Sequence, residues 1–82
     1  MNQELLLLKG QLAECKHRLK DLDLEASGLI ISIRSNINPY EEDITKLKVP
    51  EARASMKRLY VIYNEMLTLK KRIADMEEAL GG

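Results

Sequence analysis

Residues 5–33 read LLLLKGQLAECKHRLKDLDLEASGLIISI, and an apolar stripe returns through them without a gap at Leu5, Leu8, Leu12, Cys15, Leu19, Leu22, Ala26, Leu29 and Ile33. The intervals alternate between three and four residues. A mean spacing of about 3.5 keeps one narrow stripe of a helix turned toward another helix, the pattern of a coiled-coil seam. The second half repeats it through Ala52, Ser55, Leu59, Ile62, Met66, Leu69, Ile73, Met76 and Leu80. One proline-punctuated segment separates the two stripes. The simplest fold is therefore an all-α antiparallel two-helix coiled-coil hairpin, a single domain over 1–82.

The boundaries follow from the breakers. Asn36, Asn38 and Pro39 end a helix predicted over 3–36, because a residue before proline avoids helical geometry and asparagine tolerates the left-handed region. Pro50, with Glu51 in the first turn, opens a second helix over 50–80, and Gly81 and Gly82 close it. The connection, 37–49, carries its own start signal: Asn38 as cap, Pro39 as first helical residue and Glu41 as third. A short helical turn is expected there, with Ile44, Leu47 and Val49 folded over the open end of the hairpin.

Composition narrows the function. Thirteen Lys and Arg balance thirteen Asp and Glu in 82 residues, so no overall field holds nucleic acid or an anionic membrane. The single cysteine forms no disulfide framework and suits a reducing compartment. Four leucines at 5–8 without a basic lead-in make neither a signal peptide nor a membrane span. Ordering a residue costs about 1.5 kcal/mol while a buried Leu or Ile returns about 1.5 to 3, so one seam leaves a shortfall that points to oligomerisation.

No chemistry-bearing constellation emerges. Cys15 occupies the seam, and the one histidine, His17, projects from the opposite face of the same helix. Glu41, Glu42 and Asp43 lack the alternating carboxylates and the glycine of a calcium loop and read as helix-start acids. Catalytic residues, metal ligands and cofactors are therefore not predicted.

Two surface features remain. Leu24 and Ile31 point away from the seam on the first helix, as do Tyr60, Val61 and Leu67 on the second, while Ile30, Ile37, Met56 and Tyr63 widen the seam's flank. Ala26, Ser27 and Gly28 make a small-residue step that admits a close backbone. A clustered second stripe marks a packing surface. Leu24, Gly28, Ile31, Tyr60, Tyr63 and Leu67 are thus the candidate contacts, either for dimerisation into a four-helix assembly or for a different helical protein. The other feature is a pair of basic runs, Lys16, Arg18 and Lys20 with Lys70, Lys71 and Arg72. They form one mid-stem band if facing residue numbers total about 88, which sets Leu19 against Leu69. A register shifted by one heptad instead pairs Arg18 with Glu65 and Glu25 with Arg58, at the expense of drawing Ile30 to Ile37 into the connection. The first alignment is preferred.

The stretch Ile33-Arg34-Ser35-Asn36-Ile37-Asn38-Pro39-Tyr40, an acidic turn, and a Leu-rich helix ending in Met76-Glu77-Glu78-Ala79-Leu80-Gly81 resemble small uncharacterised helical-hairpin proteins of Mu-like prophages. That resemblance implies a bacterial cytoplasmic setting and an accessory phage role, and it carries over no functional residue. The expected function is non-enzymatic helical interaction or assembly, with nucleic-acid binding by the basic band as the alternative.

Overall fold

The computed structural model describes residues 2–81; Met1 and Gly82, the latter part of the expected terminal stop, lie outside the described residues. Two helices, α1 (Asn2–Asn36) and α2 (Val49–Ala79), pack against each other as a hairpin, and one 3-10 turn, Ile44–Lys46, lies between them. The rod measures 65 × 15 × 14 Å.

The seam accounts for the whole core. Cys15, Leu22, Ala26, Ala52, Ile62, Leu69, Ile73 and Met76 are buried, and all of them are stripe positions. Leu22 and Ile62, at 1% and 0% exposure, form its tightest part. Leu8, Leu12, Leu19, Leu29, Leu59 and Met66 pack half-buried around them. Only Leu5, 46% exposed, frays from the stripe at the open end.

The register departs from the preferred alignment. Arg18 donates two hydrogen bonds to Glu65, at 2.8 and 3.2 Å, and Arg58 donates two to Glu25, at 2.7 and 2.9 Å. Both pairs total 83. Cys15 shares a shallow recess with Leu69, and Leu19 shares another with Met66, so the stripes meet at totals near 84 and 85. The helices therefore sit about half a heptad from the alignment that set Leu19 against Leu69. In this register the nine positions of one stripe run in reverse order against the nine of the other, Ile33 beside Ala52 and Leu5 beside Leu80. The Arg–Glu pairs of the shifted register form without its expected cost, because α1 stays helical to Asn36.

The connection is also capped differently from expectation. Asn38 does not begin a helix: its side-chain oxygen accepts from the Tyr40 amide at 2.9 Å and its carbonyl from the Glu41 amide at 3.1 Å. This is a β-turn with Pro39 and Tyr40 at its centre. The cap is Asp43, whose carboxylate accepts from the Thr45 amide and hydroxyl at 3.0 and 2.6 Å. Those two donors hold the Asp43 carboxyl below its ordinary range. Ile44 and Val49 do not form a lid; Ile44 is 74% exposed, and of the three only Leu47 is half-buried. The Lys48 amide donates to the Asn36 carbonyl at 3.1 Å, clamping the helices together directly. No non-glycine residue takes a positive φ among the described residues, so the asparagines end α1 without left-handed geometry. Gly81, at φ 82°, does use it, and its amide donates to the Glu78 carbonyl to stop α2.

Candidate interaction surface

The hairpin has two unlike flanks. Residues immediately before Leu19, Ala26, Leu59 and Met66 in the seam, namely Arg18, Glu25, Arg58 and Glu65, lie along one of them. A planar guanidinium meets a carboxylate through two parallel hydrogen bonds in each pair, the geometry that makes Arg–Glu contacts directional. The bonded Arg58 holds the Glu25 carboxyl below its ordinary value, and Arg18 does the same to Glu65. Both guanidiniums are pushed upward by the same bonds. This flank is latched within the chain.

The other flank is open. Helical spacing puts there the residues that follow Leu22, Leu29, Ser55 and Ile62, which are Asp23, Ile30, Met56 and Tyr63. Val49 and Ile37 continue it toward the connection, and Lys16 and Lys70 continue it toward the open end. Tyr60 and Leu67 lie one step further round on α2. Ile30, Ile37, Val49, Met56, Tyr60, Tyr63 and Leu67 are all exposed, although each is large and apolar. Toward the open end Lys16, Lys20, Asp23 and Lys70 border a shallow recess floored by Leu19 and Met66, and at the connection end Arg53 and Lys57 stand beside Met56.

The expected contact residues divide accordingly. Tyr60, Tyr63 and Leu67 belong to the open flank. Leu24 and Ile31, 66% and 68% exposed, lie on the outer back of α1 beside it. Val61 sits round the far side of α2. Gly28 also faces outward, with open space where a β-carbon would stand, so within the small-residue step only Ala26, buried in the seam, serves a contact inside the hairpin. Ile30 and Met56 deserve more weight than the sequence reading gave them, since counting one residue past each seam position places them on the same flank.

The basic runs are not brought into one band. Arg18 is occupied by Glu65, Lys16 Nζ lies 3.3 Å from Glu77, and Lys71 Nζ lies 3.7 Å from Asp75. Arg72 borders the latched flank with Gln11, Glu14 and Arg18, away from Lys20 and Lys70. Of the six, Lys16, Lys20 and Lys70 share one recess, together with Asp23 and with Lys16 paired to Glu77.

Cys15 is buried in the seam, 6% exposed. Among the described residues, no group of three or more His, Cys, Asp and Glu side chains is arranged to hold a metal ion. No helix among them is long and apolar enough to cross a membrane. No family model matches the chain, and no curated protein or solved structure matches it either.

Proposed function

We propose that this chain is a non-enzymatic helical interaction protein that works by laying the apolar flank of its connection-proximal half against other helices. The observation that carries this reading is the asymmetry of the flanks: one is closed by two bidentate Arg–Glu pairs, and the other presents exposed Ile30, Met56, Tyr60, Tyr63 and Leu67. An amphipathic helix seats its apolar face in a groove of this kind. Contiguous apolar surface on a small soluble chain marks an interaction site more often than isolated exposed residues do. The resemblance of the Asn36–Tyr40 junction to Mu-like prophage hairpins supports an accessory phage role in a bacterial cytoplasm.

Crosslinking in the native host, followed by capture of the tagged chain, tests the reading. The protein captured by wild type should be lost with Ile30→Glu/Tyr63→Glu, a variant that circular dichroism should show to remain helical. It should be kept with Lys16→Gln/Lys20→Gln/Lys70→Gln. Capture that survives the flank substitutions, fails with the lysine substitutions and disappears on nuclease treatment would replace this reading with nucleic-acid binding, whose salt dependence is steep.

A further inference from the structure

We draw no further inference here: the strongest candidate, the exposed apolar flank around Ile30, Met56 and Tyr63 in the connection-proximal half of the hairpin, carries nothing more because nothing in the structure shows what covers it.

Discussion

Ile62 has no exposed surface and Leu22 almost none, so the hairpin's stability is concentrated where these two meet. Ile62→Ala should cost about 2 to 4 kcal/mol by urea denaturation, for the lost transfer energy and the cavity left behind. Leu5→Ala, at the frayed end of the same stripe, should cost less than about 0.5 kcal/mol. Cys15 is expected to be inert for the same reason that Ile62 is sensitive: a thiol reagent should modify it slowly in the native protein and readily in denaturant. Equal rates would place it outside the core. Glu25, Glu65 and Asp43 titrate below their unfolded values, so the folded chain binds fewer protons than the unfolded one in that range. Their contribution is present above about pH 4.5 and is lost as pH falls through the lower, folded values. Thermal melts from pH 7 to pH 3 should show the loss. Glu25→Gln/Glu65→Gln should begin lower at pH 7 and fall less steeply in acid; parallel curves for both proteins would separate the Arg–Glu pairs from folding.

At the level of the helices, the register has a direct check in the native cysteine. Cys15 with Leu69→Cys should oxidise within one chain, because the two positions face each other across the seam. Cys15 with Ile73→Cys, the pair demanded by a total of 88, should not, since the positions are offset by about 6 Å along the axis. The existence of both helices and the residues of the core were legible in the sequence because a 3.5-residue repeat has one physical meaning. Their alignment was harder to read. A stripe of Leu, Ile and Met steps past another in half-heptad increments with little change in apolar burial, so the decision passes to groups outside the stripe, here Arg18 with Glu65 and Arg58 with Glu25. The supposed basic band inherited that ambiguity and came apart when Arg18 found Glu65. In the connection, Asn38 and Asp43 are both good caps, and local pattern alone does not rank them. Ile30, Ile37, Met56 and Tyr63 were legible together as a flank of the seam, whereas Leu24, Ile31 and Val61 could be set apart from that flank only once the Arg–Glu pairs had marked the opposite one.

Over the whole molecule, no contact between the helices is cheaper to make than the one beside the connection. The hydrogen bond from Lys48 to the Asn36 carbonyl closes only residues 37–47, whereas joining Leu8 to Met76 at the open end first would close nearly the entire chain. Loop-closure entropy grows with the length enclosed, so the hairpin should assemble as a zipper whose slider starts at the turn. Stopped-flow refolding would then read position as time. Ala52→Gly and Ile33→Ala, beside the connection, should slow folding, while Leu8→Ala and Met76→Ala should leave the folding rate nearly unchanged and speed unfolding. The clamp that shortens the connection would thereby govern how quickly the chain becomes a rod, and the end farthest from it would govern how long it remains one.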